Sequence, residues 1–287
     1  MNNADEPLVS VLMTAYNREK YIAEAIESVL VSTYTNFELL ICDDCSADST
    51  VAIARRYMQQ DERVRVYVNE TNLQQFPNRN KATLLATGEF IFFVDSDDTI
   101  LPDAIERLVA TMNSFPDSSF GMYYPEKCAP FQLQSKEAIH KHFFEKPFLG
   151  IGPGGTILRR SFLLSINGYP DKYAAAGDMY FNLKAVCHSS IVLMPFDFLN
   201  YRVHGDQELN TPFSYMYNTY LYLMDALAEL PLMLTDKEIQ WLKKKCKRRF
   251  LTNLVKFYLR THDTHKVREL VRKTNFGFKD TFEAIFH

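Results

Sequence analysis

Phe90-Ile91-Phe92-Phe93-Val94 runs without a polar side chain and ends in Asp95-Ser96-Asp97-Asp98, three carboxylates in four residues. A short, fully apolar run between polar flanks reads as a strand buried on both faces. Such a strand belongs to an open α/β sheet, where ligands sit outside the carboxyl ends of the strands. Three carboxylates crowded there repel one another. Either they form a solvated acidic turn that caps the next helix, or they hold a divalent cation together with phosphate. Hard cations take oxygen ligands and bridge to substrate phosphates.

Three more strand-like runs precede this one. Residues 8–14 (LVSVLMT) are β-rich, 37–42 (FELLIC) are apolar and lead into Asp43-Asp44, and 63–68 (RVRVYV) alternate. Between them lie helical patterns. Asn17 is the expected cap of a helix carrying Ile22, Ile26, Val29 and Leu30 on one face. Asp48 or Ser49 caps a second, with Val51, Ala54 and Met58 inward. Residues 73–88 read as a loop and a helix, and Leu101-Pro102 opens another helix carrying Ile105, Leu108, Val109 and Met112. Strands alternating with helices at this spacing predict a doubly wound, mostly parallel sheet with helices on both faces. Two strands ending in acids then place their carboxylates at one edge of that sheet. This favours a metal-and-nucleotide site over an acidic turn.

Beyond residue 115 the pattern loosens. Gly150-Ile151-Gly152-Pro153-Gly154-Gly155-Thr156 reads as a flexible loop, with Ile157-Leu158 as a short strand after it. The loop matches neither a dinucleotide nor a Walker fingerprint. Gly168-Tyr169-Pro170 is a turn, and Gly177-Asp178 precedes a helical spacing of Met179, Leu183 and Val186, where a plain N-cap is one reading of Asp178. From about residue 212 the chain reads as helical, with Ile239, Leu242, Cys246, Leu251, Leu254 and Tyr258 on one face.

Charge divides the chain. Residues 236–287 hold 14 Lys and Arg against 6 Asp and Glu, whereas the chain as a whole carries −3. The basic tail is read as the solvated face of helices packed on the body, or as a surface drawn to an anionic membrane or polymer. No nucleic-acid recognition motif accompanies it, so no nucleic acid is expected. The five cysteines are odd in number and scattered, which fits a reducing compartment, and Cys42 and Cys45 lack a second metal-ligand pair. The polar start of the chain lacks the features of a signal peptide, and no apolar run reaches bilayer length. The expected location is the cytoplasm or the inner face of a membrane.

Taken in order, these pieces resemble the family 2 glycosyltransferases with the GT-A fold, over roughly residues 7–205. The matching segments are Val9-Ser10-Val11-Leu12-Met13-Thr14-Ala15-Tyr16-Asn17, Ser28-Val29-Leu30 with Tyr34 and Phe37-Glu38, and Asp43-Asp44-Cys45-Ser46-Ala47-Asp48-Ser49-Thr50. Arg79-Asn80, Ala86-Thr87-Gly88-Glu89-Phe90-Ile91 and Asp95-Ser96-Asp97-Asp98 complete the series. The resemblance implies an inverting transferase that uses a nucleotide-diphosphate sugar, with UDP favoured, and Mn²⁺ or Mg²⁺. It places Thr14, Ala15, Tyr16 and Asn17 against the nucleotide base, Asp44 on the base, and Arg79, Asp95 and Ser96 beside the nucleotide. Asp97 and Asp98 become metal ligands. Tyr201-Arg202-Val203-His204 resembles a motif near the diphosphate, giving Arg202 to phosphate and His204 to metal. Asp178 becomes the base that deprotonates the acceptor, although Gly177 stands where the family commonly has Glu.

On this reading a GT-A domain spans residues 1–210, with a nucleotide-binding half over about 7–115 and an acceptor half over about 116–210. A basic helical extension spans 211–287. The partners are a sugar-nucleotide donor and a glycan or lipid-linked acceptor. The tail offers a peripheral membrane contact or a homodimer contact. Trp241 lacks the Gln-x-x-Arg-Trp context of the processive synthases, so one sugar is moved per encounter. Two other readings share the acidic sheet edge: a nucleotidyltransferase that makes the sugar nucleotide, and a degenerate binding module.

Overall fold

The computed structural model describes residues 6–205 and 212–286. The expected domain boundary at 210–211 lies outside the described residues. The first half follows the predicted alternation: β1 (Val9–Ala15), α1 (Ile22–Leu30), β2 (Phe37–Asp43), α2 (Thr50–Gln60), β3 (Val64–Val68), α3 (Gln75–Leu85) and β4 (Phe90–Phe93). A short β5 (Thr99–Ile100) and α4 (Ala104–Ser114) come next. Then come β6 (Phe120–Tyr123), β7 (Phe131–Leu133), α5 (Ser135–His140), β8 (Thr156–Arg159), α6 (Arg160–Ser165), α7 (Gly177–His188), β9 (Ile191–Met194) and β10 (Leu199–Asn200). Four helices complete the described chain: α8 (Pro212–Glu229), α9 (Asp236–Thr261), α10 (Thr264–Thr274) and α11 (Phe278–Phe286).

Eight strands form one sheet in the order β3-β2-β1-β4-β8-β6-β9-β7. The first four are mutually parallel. β8 runs antiparallel between β4 and β6, β6 and β9 are parallel, and β7 closes the edge antiparallel. Alternate residues of each strand enter opposite layers. Leu12, Leu40, Ile91 and Phe93 face α3, α6 and α7, while Val11, Leu39, Ile41, Phe90 and Phe92 face α1 and α4. Both faces are covered, which is why these strands read as unbroken apolar runs.

Three local expectations change. Asn17 does not cap α1; it sits in the left-handed region at φ 53°, and its side-chain oxygen accepts from the Ala47 N–H at 2.9 Å. The glycine-rich loop is a buried turn, because Pro153, Gly154 and Gly155 pack under the site, where a Cβ at Gly155 would lie 2.3 Å from Ile151. The C-terminal helices join the body through Tyr222, Ala226, Leu227 and Leu242. They also form a cluster of their own around Tyr220, Cys246, Phe250, Leu254, Leu270 and Phe276. Tyr258, expected on the buried face, is exposed, whereas Lys247 is buried and pairs with Asp280 and Glu283 at 2.8 and 2.5 Å. Among the described residues no helix is long and apolar enough to cross a membrane.

Candidate active site

β1 lies between β2 and β4, and the chain order reverses there, so the crevice at the carboxyl ends of these strands is a topological switch point. Register fixes its walls. Ala15 is opposite Asp43, the Asp44 N–H donates to the Ala15 carbonyl at 2.8 Å, and the Val94 N–H donates to the Leu12 carbonyl at 3.0 Å. Thr14, Ala15, Tyr16 and Asn17 therefore emerge between two acidic strand ends. Tyr16 is 47% exposed, available to stack on a planar ring.

The acids of the β2 end are mostly spent on holding loops. Asp43 accepts from the Ser46 N–H at 2.8 Å and its hydroxyl at 2.5 Å, and Ser46 Oγ accepts in turn from the Asn17 N–H at 2.8 Å. Asp48 accepts from the Thr50 N–H at 2.9 Å, and Thr50 Oγ1 accepts from the Arg18 N–H at 2.7 Å. The segment after β2 thus staples the loop after β1. Asp44 is buried, and its carboxylate accepts from Asn69 Nδ2 and the Leu73 N–H at 2.8 Å and from the Gln74 N–H at 2.9 Å. Asn17, Cys45 and Gln74 all hold positive φ on this rim, a placement of backbone strain common around ligand sites.

The β4 end carries the other acids in three distinct settings. Asp95 pairs with Arg79, whose guanidinium is buried to 2% exposure on α3. Burial works against that charge, and Asp95 outweighs it, so the pKa of Arg79 lies above its ordinary value. Arg79 Nε and Nη1 have no hydrogen-bond partner among the described residues. Asp97 Oδ2 meets both Arg18 Nε and His204 Nε2 at 3.0 Å. Asp98 is buried and accepts from the Arg202 N–H at 2.8 Å. Burial pushes its carboxyl up to about 7, with the charges of Asp95 and Asp97 adding to the rise. Ser96 is buried within the turn closed by the Asp98 N–H on the Asp95 carbonyl.

Arg202 donates from Nε to the Asp97 carbonyl at 3.0 Å, pairs with Glu24, and lies over the Tyr21 ring, on which His204 also stacks at 4.8 Å. Arg18, Tyr21 and Glu24 were not among the residues singled out by sequence. Their nearness to Tyr16-Asn17 was the available signal.

Asp178 lies in the first turn of α7. The helix is capped at Ala176, so Asp178 is not the N-cap; its Oδ1 accepts from the Met179 N–H at 2.7 Å. Burial lifts its carboxyl to about 7 against that hydrogen bond and the attraction of Arg79, while Asp95 raises it further. Gly152 leaves Asp178 open, since a Cβ there would meet only Asp178 Oδ2, at 3.9 Å. The turn before α7 is clamped by Asn80, whose side chain donates to the Tyr169 carbonyl and accepts from the Tyr169 N–H, both at 2.8 Å. A Cβ at Gly168, where φ is +55°, would fall 2.3 Å from Asn80 Oδ1. Gly168→Ala is therefore expected to cost about 2–4 kcal/mol, from left-handed strain together with loss of this clamp. Urea unfolding of the two proteins measures it.

The cysteines play no visible part here. All five are free thiols, and burial pushes Cys42, Cys187 and Cys246 up to about 12.

An α/β sheet with an acidic crevice at its switch point, faced by a carboxyl of raised pKa, defines a class of ligand-handling folds. This chain belongs to glycosyl transferase family 2, whose model matches residues 10–164. The Escherichia coli UDP-Glc:alpha-D-GlcNAc-diphosphoundecaprenol beta-1,3-glucosyltransferase WfgD is 40% identical over 108 residues, 38% of this chain and 42% of that relative. The aligned part is thus well under two thirds of that protein. The structure of S. aureus TarS 1-349 in complex with UDP-GlcNAc is similar at TM-score 0.73 and 19% identity, over 96% of this chain and 81% of that one. Mannosyltransferase PcManGT from Pyrobaculum calidifontis, in complex with GDP-Man and Mn²⁺, is similar at TM-score 0.64 and 14% identity, over 98% and 84%. Those two likenesses establish the GT-A fold.

Among the described residues no three His, Cys, Asp or Glu side chains gather into a metal-binding cluster. The donor pair Asp97 Oδ2 and His204 Nε2 fits a different arrangement. They are hydrogen-bonded to each other at 3.0 Å, so a carboxylate and an imidazole stand side by side as donor types that a divalent cation takes together with substrate phosphates.

Proposed function

We propose that this chain is an inverting glycosyltransferase that moves one sugar from a UDP-sugar to a hydroxyl of a glycan or lipid-linked acceptor in cell-surface polysaccharide synthesis. The observation that carries the reading is the acidic crevice at the switch point, where Asp95 pairs with buried Arg79 and the Asp178 carboxyl of α7 lies within reach of that arginine's charge. UDP is favoured because WfgD and the TarS complex are both named with UDP-sugars. A lipid-linked glycan acceptor follows the printed name of WfgD.

In this reading Tyr16 covers the base and Asp44 holds the 69–74 loop against it. Asp95 and Ser96 set the ribose side, and Arg202 faces the phosphates. Asp97 and His204, with Asp98 beside them, would hold Mn²⁺ or Mg²⁺ jointly with the diphosphate, and the cation, when bound, neutralises charge on the leaving group. The acceptor oxygen bonds to the anomeric carbon. The bond from that carbon to the diphosphate oxygen breaks, and its electron pair leaves with UDP. Asp178 takes the acceptor's hydroxyl proton, and its raised pKa suits a base working near neutral pH.

Calorimetric titration of UDP, GDP and dTDP, with and without Mn²⁺, tests the donor site. UDP is expected to bind tightly only with metal, and Asp97→Ala to weaken that binding at least about tenfold, which is about 1.4 kcal/mol. Incubation with donor and acceptor should release free UDP. Pyrophosphate as product, or metal-independent binding unchanged in Asp97→Ala, would reject the assignment.

A further inference from the structure

The distal ends of α9, α10 and α11 enclose an apolar groove of about 570 Å³, lined among others by Leu254, Tyr258, Val271 and Phe276. Large apolar side chains remain in water on this end: Phe278 is 87% exposed and Leu259 63%. Cations follow the apolar positions one by one in sequence: Val255-Lys256, Leu259-Arg260, Val267-Arg268, Val271-Arg272 and Phe278-Lys279. One residue is about 100° of helical rotation, so on each helix a cation flanks the apolar side chain. All five of these cations are exposed. The acids of this region are engaged elsewhere: Asp280 and Glu283 hold Lys247, Glu269 holds Lys273 at 3.0 Å, and Asp263 caps α10 and faces Lys266.

We propose that this end of the molecule docks on an anionic lipid bilayer. Phe278 and Leu259 enter the acyl boundary, and the flanking Lys and Arg side chains extend to the headgroups. Charge decides against a second copy as the occupant. A two-fold contact through the same patch would bring like cations together, whereas anionic headgroups neutralise them. The proposal is independent of the donor chemistry.

Co-sedimentation of the full chain with vesicles tests it, using phosphatidylcholine alone and a 3:1 mixture with phosphatidylglycerol. Binding is expected only to the anionic vesicles, with loss in high salt. Each cation removed near the surface lowers partitioning about fivefold, so Arg268→Ala with Arg272→Ala lowers it about twenty-five-fold. Phe278→Ser with Leu259→Ser, both at exposed positions, lowers it at least about tenfold with unchanged thermal melting. Three outcomes overturn the proposal: no binding to anionic vesicles; binding insensitive to the Phe278 and Leu259 pair, which reduces it to diffuse charge; or a dimer in analytical sedimentation that this pair dissociates, which gives the face to a second copy.

Discussion

Asp178→Asn is expected to lower kcat about a thousandfold while leaving UDP binding within a few-fold of the parent, because general-base removal typically costs about 10²–10⁴. Asn keeps the side-chain oxygen that accepts from the Met179 N–H, so the first turn of α7 survives. The raised pKa supplies a second signature. Asp178 goes from about 3.8 unfolded to about 7 folded, so the folded state binds the extra proton. The carboxyl therefore leaves stability untouched below the unfolded value, erodes it as pH rises between the two, and has its full cost above the folded value. At pH 8 the Asn variant is accordingly more stable than the parent, by at most about 4 kcal/mol, and at pH 4 the two are nearly equal. Urea unfolding at both pH values reads the stability difference, and the pH profile of kcat/KM in the parent should fall below about pH 7. A variant turning over within tenfold of the parent would remove Asp178 from the base role.

The legible part of this molecule is the part whose physics is local. Residues 37–42 and 90–94 announce strands because both faces are buried, and the acids at their ends mark the sheet edge. Each of these signals survives without knowledge of distant contacts. β6, β7 and β9 carry no comparable local signal: they are three or four residues long, and their place in the sheet depends on β8 wedging in antiparallel. Asn17 has the residue type of a helix cap, but its side chain serves the neighbouring loop at Ala47 rather than its own helix. Tyr21 and Glu24 gain meaning only once residues 202–204 fold back across some 180 positions, and Arg18 only once Asp97 comes beside it across 79, pairings no local pattern encodes. The three acids after β4 look alike in sequence, yet one neutralises a buried arginine, one meets Arg18 and His204, and one is buried against a backbone N–H.

That division of labour makes Asp95→Ala the most destabilising of the acidic substitutions. It strips the only hydrogen-bonded partner that the described residues give to the Arg79 side chain, leaving a guanidinium that burial keeps from water. Breaking a buried ion pair from one side costs about 3–5 kcal/mol, against a total stability of about 5–15 kcal/mol. For a chain of this size the thermal midpoint should fall by about 5–8 °C. Removing the cation as well reverses much of the loss. Arg79→Met fills similar volume without charge, so the double variant should recover about 2 kcal/mol relative to additive behaviour in a double-mutant cycle. Asp97→Ala provides the contrast, because the Arg18 side chain is 22% exposed and keeps its hydrogen bonds to the Tyr16 and Asn17 carbonyls, and the stability of that variant should change by no more than about 1 kcal/mol. A midpoint for Asp95→Ala within 2 °C of the parent would show that Arg79 does not rely on Asp95. The role of counter-ion would then pass to Asp178, whose carboxyl already feels the Arg79 charge and would be ionised at lower pH once Asp95 no longer opposes it.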